Sequence, residues 1–526
     1  MNKKTLGKVA AGMAIVAVAV VGYRTWGWGH LSGNVNALHL DLSKPDALIV
    51  TKSLSTLPRD LLTIPLARDV LREDFLFYYE QNDDRLGLKG SLRRIAYEHE
   101  LNWGDQLIRT VLDQPADVAL WRDADGRLQH FAIAVSRNGL TKVLEEAGKV
   151  ALKDSQLKIA GELGVDGDDV KVFALEYAQG RTLLFAAHGE RLVILSHAGM
   201  LYGGEDGKKT DRAAEKAVIA LLAKDPAGQR AFHDQFHLAK GPVDGHSVAV
   251  KADFLSFGYQ PFFGALEALR FDFSKGAWRS QALLDATRLQ KGGYDSTALW
   301  SSLPHNPSAC FTVPADWKSM EPVLQRIDSK EPLQPLAAQM TGPAAACWYG
   351  DSRLHTPVFV ATRAQASEAL LGNLFAATVG GKGEPPKGTA ANGATQWQRT
   401  VATQQGNAQP TLAVSGNVVV FSADAALVNK VLQVRRKQAA AIADQLPDAA
   451  HTVGVIAPAS LARLIETEAF GSLPPGQEPV LRAAADQHLV PRLNALKKYP
   501  AYRMVLRQLP ASGIAWAPLE WQAIAR

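Results

Sequence analysis

The sequence predicts an α+β protein: two tandem repeats of a mostly antiparallel sheet with helices packed on one face, preceded by an N-terminal membrane helix. Three observations predict it. A charge-free apolar run follows a lysine-rich start, short β-branched and aromatic runs recur in one order in both halves, and each recurring hairpin precedes a stretch with helical spacing. The expected organisation is an anchor and juxtamembrane segment over 1–35 and a first repeat over 36–295, with insertions near 72–110 and 200–240. A second repeat then spans 296–526. The 526 residues suit two or three domains, and 47% hydrophobic with 21% charged residues is the composition of a globular chain.

The first element is an address. Lys3, Lys4 and Lys8 precede the uncharged run VAAGMAIVAVAVVGY over 9–23, and Tyr23, Trp26 and Trp28 follow. Fifteen helical residues give about 22 Å, short of a hydrocarbon core of about 30 Å. The aromatic cluster suits an outer membrane interface, and the lysines favour a cytoplasmic N-terminus with the body in the periplasm. This favours an uncleaved anchor in the bacterial inner membrane. The alternative is a signal peptide cleaved near Ala17-Val18-Ala19, leaving a soluble periplasmic body. The formal charge is +5, and without the three lysines +2 remains, which argues against a nucleic-acid partner.

The repeat comes next. PDALIV at 45–50 resembles PSACFT at 307–312, an offset of 262; PADVALW at 115–121 resembles PAAACWY at 343–349, an offset of 228. RLQHFAIAVSR at 127–137 resembles RLHTPVFVATR at 353–363, and RLVILSHA at 191–198 resembles NVVVFSAD at 417–424, both at 226. HSVAVKADFL at 246–255 resembles HTVGVIAPASL at 451–461, at 205. The falling offsets give the first copy 34 extra residues between its first two blocks and 21 between its hairpin and next strand. Hairpins are expected around His188-Gly189-Glu190 and Gly416-Asn417. Helices are expected over 211–224 and over 424–446, the second capped by Asp424. The stretch 380–395 reads as an exposed loop, and the chain closes on a further hairpin like that at 268–286.

The first insertion carries DFLFYYEQNDDRLGLKGSLRRIAYEHELNW over 74–103, preceded by STLPRDLLTIPLARDVLRE. With these stretches the chain resembles the YfaA-like family, uncharacterised envelope proteins of Gram-negative bacteria, and the likeness spans nearly the whole chain. The resemblance implies a membrane-associated protein without an established activity, so no catalytic residues carry over. It also implies an envelope context shared with an α2-macroglobulin-like protein, the candidate partner.

Candidate chemistry is sparse. His233 and His237 stand at i and i+4, a spacing that lets two imidazoles share a metal on one helix face, but the Glu of a zincin is absent and no third ligand is evident. Arg93, Arg94, Tyr97 and His99 lie on a helix expected from Ser91 to about Asp113 and are the interaction residues singled out, because the family-like block surrounds them. Ser155 to Lys158 matches S-x-x-K without its companion motifs. DADG at 123–126 and DGDD at 166–169 resemble calcium loops but lack the closing Glu and read as hairpin turns. Cys310 and Cys347 can bond if their strands are neighbours, yet the apolar first-copy counterparts Leu48 and Ala119 favour buried free thiols. No cofactor fingerprint appears. The function expected is non-enzymatic: a membrane-anchored periplasmic protein-interaction or envelope-accessory module. The alternative is a periplasmic hydrolase or metal-dependent enzyme using the first-copy insertions.

Overall fold

The computed structural model describes residues 37–69, 113–123, 125–136, 157–176, 182–203, 209–239, 245–255, 264–289, 295–364, 367–379, 387–391, 393–403, 406–471 and 478–524. The chain mixes helix with antiparallel sheet and divides into two compact units. One comprises Met1–Phe254 with Leu269–Arg279, the other Leu255–Ala268 with Ser280–Arg526.

The first unit holds β1 (Ala47–Thr51), β2 (Ala116–Arg122), β3 (Leu128–Ser136), β4 (Leu157–Val165), β5 (Asp168–Glu176), β6 (Thr182–His188), β7 (Arg191–Leu195) and β10 (His246–Lys251). They pair antiparallel in the order β10–β1–β2–β3–β7–β6–β5–β4. A small ribbon joins β8 (Tyr202–Gly203) and β9 (Lys209–Thr210). The turns behave as the sequence implies. Asp123 accepts from the Asp125 and Arg127 amides at 2.9 and 2.8 Å, and Asp166 and Gly167 take φ of 51° and 90° between β4 and β5. The helix Arg212–Leu222 starts where Asp211 accepts from the amides of Ala213 and Ala214, and it buries Ala214, Val218, Leu221 and Leu222.

β11 (Leu266–Ser274) and β12 (Ala277–Asp285) contribute residues to both units. The second unit adds β13 (Ala309–Val313), β14 (Met340–Trp348), β15 (Val358–Arg363), β16 (Thr389–Ala391), β17 (Ala394–Gln398), β20 (Thr411–Ser415) and β21 (Val418–Ser422). β22 (Thr452–Ile456), β23 (Tyr502–Val505) and β24 (Ile514–Ala523) complete its sheet, and β18 (Val401–Thr403) and β19 (Gly406–Ala408) form a separate ribbon. Its order is β16–β17–β20–β21–β15–β14–β13–β22–β23–β24–β12, all antiparallel. The first eight strands of that order, reversed, run β22–β13–β14–β15–β21–β20–β17–β16. This is the order in which β10, β1, β2, β3, β7, β6, β5 and β4 pair in the first unit. Leu48 faces Ala119 and Ala249 just as Cys310 faces Cys347 and Val455.

The registers correct two sequence offsets by one residue. Ile133 pairs with Ile194 as Phe359 pairs with Phe421, so the hairpins correspond at 227, which brings Gly189 (φ 57°) onto Gly416 (φ 58°). Likewise Ala249 corresponds to Val455, at 206. Apolar runs tolerate a one-residue slip on paper; a glycine turn with φ above zero does not.

Helices cover both faces of the second unit's sheet, against the one-faced arrangement expected. Cys310, Val358, Ala413, Val418 and Val420 pack with Trp300 of the helix Thr297–Trp300 and with Leu427, Val428, Val431 and Leu432 of the helix Ala425–Arg435. On the other face Leu412, Val414, Val419 and Trp397 pack with Leu336 of the helix Pro335–Gln339 and with Leu371 and Phe375 of the helix Glu368–Thr378. The unbroken apolar writing of VVVF in β21 is the signature of a strand buried on both sides.

Three further expectations change. The helix expected over 424–446 stops at Arg435. Lys437 takes φ 59°, its amide donates to the Val434 carbonyl, and the Gln438 amide donates to the Gln433 carbonyl, which together form a Schellman stop. The loop expected over 380–395 contains β16 and the start of β17, which pair antiparallel up to Ala391 opposite Ala394. Finally, Cys310 and Cys347 are directly opposed, their Cα atoms 4.0 Å apart, and are joined in a disulfide rather than left as free thiols.

Candidate functional site

Histidine–carboxylate pairs are concentrated in the first unit, and one of them has the connectivity of a hydrolase triad. Thr51 ends β1 and His246 begins β10, and the register places them opposite each other. The Thr51 hydroxyl lies 2.7 Å from His246 Nδ1, and His246 Nε2 lies 3.0 Å from Asp60 Oδ2 on the short helix Leu57–Leu61. Burial pushes the His246 pKa down, so the ring is neutral at pH 7. Its Nε2–H then donates to Asp60, and Nδ1 accepts from Thr51. Burial alone would raise the Asp60 carboxyl. The hydrogen bond from His246 and the charges of Lys52 and Arg59 outweigh it, and Asp60 stays ionised.

A catalytic triad must present its hydroxyl to a substrate. The relative exposures here are 2% for Thr51, 1% for His246 and 5% for Asp60. The Thr51 hydroxyl is also tied to the Ser53 amide at 3.1 Å. The arrangement is therefore a sealed polar clasp that fixes segment 52–60 against the β1–β10 pair. Sequence reasoning missed it because Asp60 and His246 are 186 residues apart. Pairing the PDALIV and HSVAVK blocks as neighbouring strands would have brought Thr51 to His246.

Two other histidines share a face. His130 on β3 and His197 after β7 continue the pairing of Ala132 with Leu195, and their ring centroids are 6.1 Å apart. His197 Nδ1 accepts from the Gly199 amide at 2.9 Å. Burial, then the neighbouring His197, pushes the His130 pKa down to about 4, and burial lowers that of His197 as well. Both rings are uncharged at neutral pH.

The weak candidate metal pair comes apart. His233 is buried on the helix Ala231–Gln235 with Nε2 2.8 Å from Asp117 Oδ2. His237 lies beyond the end of that helix with φ 49° and is exposed, so the two rings do not share a helix face. Among the described residues no group of three or more His, Cys, Asp or Glu side chains is placed to hold a metal. Arg93, Arg94, Tyr97 and His99 lie outside the described residues, as do the apolar run 9–23 and Ser155. Among the described residues no helix is long and apolar enough to cross a membrane.

The second unit carries an open cleft of about 590 Å³ between segments 287–289, 315–322 and 337–340. Arg288, Asp316 and Trp317 in its wall are already engaged with the protein. Arg288 Nε donates to Asp316 at 3.3 Å and Nη1 stands 3.6 Å from Glu267, while the Trp317 indole donates to the Gly342 carbonyl at 2.8 Å. Burial raises the Asp316 carboxyl, but hydrogen bonds from Ser319 and Arg288 lower it further, so it remains the counter-ion of Arg288. Such a cleft offers a shaped, mixed-polarity surface and no activated nucleophile.

The family described as "Uncharacterized protein conserved in bacteria (DUF2138)" matches residues 4–521. The chain belongs to this family. A relative within reach of direct comparison is the "Uncharacterized protein YfaA" of Escherichia coli (strain K12), 35% identical over 523 residues, which cover 93% of this chain and 92% of that protein. Two solved structures share 9% identity with this DUF2138 member. "Structure of crystal form IV of TP0453" covers 48% of this chain and 81% of its own at a TM-score of 0.21. "Structure of crystal form I of TP0453" covers 52% and 85% at 0.20. Scores this low carry no statement about fold.

Proposed function

We propose that the protein is a non-enzymatic, membrane-tethered periplasmic module, built from two divergent copies of one sheet, that docks a protein partner of the cell envelope. The observation that carries the location is the Cys310–Cys347 disulfide, since such bonds persist in oxidising compartments and are rare in the cytosol. The lysine-flanked apolar run 9–23 gives the same address. The common order of eight strands supports the duplication, with the copies at 36–295 and 296–526 read from the sequence. The sealing of Thr51, His246 and Asp60 supports a structural role for the one triad-like set described. The partner favoured is the α2-macroglobulin-like envelope protein that the family resemblance implies, and Arg93, Arg94, Tyr97 and His99 are proposed as contact residues.

Two measurements test this reading. In spheroplasts the body should be open to added protease and its cysteines closed to alkylation until a reductant is added; a protected, fully alkylated body contradicts export. Crosslinking in cells followed by mass spectrometry should recover an envelope protein. Turnover of peptide or glycan by the purified chain would overturn the non-enzymatic assignment.

A further inference from the structure

We propose that the tip of the β20–β21 hairpin binds a tetrahedral oxyanion, inorganic phosphate or the phosphodiester of an anionic lipid headgroup. The argument begins at Gly416. Its carbonyl accepts from Arg363 Nε at 3.0 Å, and the Arg363 amide donates to the Asn417 carbonyl at 2.9 Å. Arg435 Nη2 stands 3.4 Å from the point that a Cβ on Gly416 would occupy. Two guanidinium groups thus sit on one glycine. Arg436 and Lys437 follow directly at the helix stop. Glu368 stands 3.9 Å from Arg363 Nη2 and is itself 48% exposed, whereas Arg363 is 13% exposed.

Cations at a helix C-terminus answer its exposed carbonyls, and Arg436 does so, donating from Nε to the Leu432 carbonyl at 3.2 Å. Arg435 behaves differently. Its Nη1 reaches Ser302 Oγ at a long 3.4 Å, and its Nε–H is buried with no hydrogen-bond partner among the described residues. A buried donor without an acceptor calls for an ion or a water. The fold itself does not demand this excess of charge. At the matching tip of the first unit, His188 lies 3.1 Å from Asp168 and 3.8 Å from Asp166, and Arg191 Nε donates to the Leu221 carbonyl at 3.2 Å. At that tip each of these side chains already has a partner within the fold. Arginine forks suit the oxygens of phosphate, and a small turn flanked by two of them fits one tetrahedral anion.

The test uses the full chain. Equilibrium dialysis with inorganic phosphate reads the free anion, and co-sedimentation with phosphatidylcholine vesicles, with and without phosphatidylglycerol, reads the headgroup. Wild type should bind phosphate saturably or sediment more with phosphatidylglycerol. Arg363→Gln and Arg435→Gln should each weaken that binding about tenfold or more, as expected for lost charge-assisted hydrogen bonds. Arg435→Lys, which keeps the charge and the stem, should retain part of it if Arg435→Gln fails to fold, and Arg191→Gln at the other tip should change nothing. Phosphate binding identifies the free anion, and a response confined to phosphatidylglycerol identifies the headgroup. Absence of both, or wild-type binding by Arg363→Gln and Arg435→Gln, overturns the proposal.

Discussion

The first and second units secure the same strand pair, β1–β10 in one and β13–β22 in the other, with different chemistry. In the first, the end of β1 meets the start of β10 through Thr51, a neutral His246 and an ionised Asp60. In the second, the place of His246 is taken by Thr452, whose carbonyl accepts from Ser296 Oγ at 2.7 Å and from the Trp300 indole at 2.8 Å. One strand further in, Leu48 opposite Ala119 is replaced by bonded Cys310 and Cys347. One topology therefore carries a titratable clasp in one unit, and a neutral hydrogen-bond hub with a covalent link in the other. The difference teaches that the sheet order does not depend on either device. It also places acid sensitivity in the first unit and redox sensitivity in the second.

Removing the clasp should have the largest effect. His246→Ala leaves the Asp60 carboxylate buried with Lys52 at 3.7 Å, and unfolding in urea should show a loss of about 3–5 kcal/mol. A loss below about 1 kcal/mol would make the clasp incidental. Next comes the paired replacement Cys310→Leu with Cys347→Ala, which writes the first unit's residues into the second. The site stays apolar and the cross-link between residues 37 apart is lost, so the cost should be about 2–4 kcal/mol. In wild type the same step should follow addition of a reductant.

Acid comes third. The native state holds His130 neutral to about pH 4, while the unfolded chain protonates near 6.5. Above pH 6.5 neither state binds the proton and nothing is lost. As pH falls from 6.5 to about 4 the unfolded state gains protons that the native state refuses, and stability should fall by about 3 kcal/mol from His130 alone. His197 and His246, also lowered, add in the same direction. Asp60, whose pKa is lowered, contributes stability above about pH 3.8 that is lost only below it. His130→Phe should flatten the acid limb. The smallest effects belong to the neutral hub and the turns. Trp300→Phe removes the indole N–H that donates to both Ser296 Oγ and the Thr452 carbonyl, and should cost about 1–2 kcal/mol. Gly189→Ala and Gly416→Ala place a Cβ at φ 57° and 58° and should each cost about 1 kcal/mol in thermal unfolding.

Much of the local structure was legible in the sequence. The two hairpins, the cap Asp424 and the Asp-rich turns rest on short-range rules, and residues a few positions apart carry them. The two-sided coverage of β21 was written in VVVF but was not separable from a half-buried strand without knowing its partners. Register was off by one because valine and isoleucine match at either setting, and only Gly189 and Gly416 fix it. The clasp, the His130–His197 pair and the His233–Asp117 contact join residues far apart in the chain, and strand pairing alone brings them together. The helix stop at Lys437 was hidden because a lysine, not a glycine, takes the left-handed position.

Hydrogen exchange resolved by strand, followed from pH 7 to pH 4, tests the contrast between the two units most directly. The account predicts that the amides of β1 and β10 lose protection as the pH drops below about 6, while those of β13 and β22 keep theirs until a reductant is added. Loss of protection in β13 and β22 first, or in all four strands together under oxidising conditions, would contradict it.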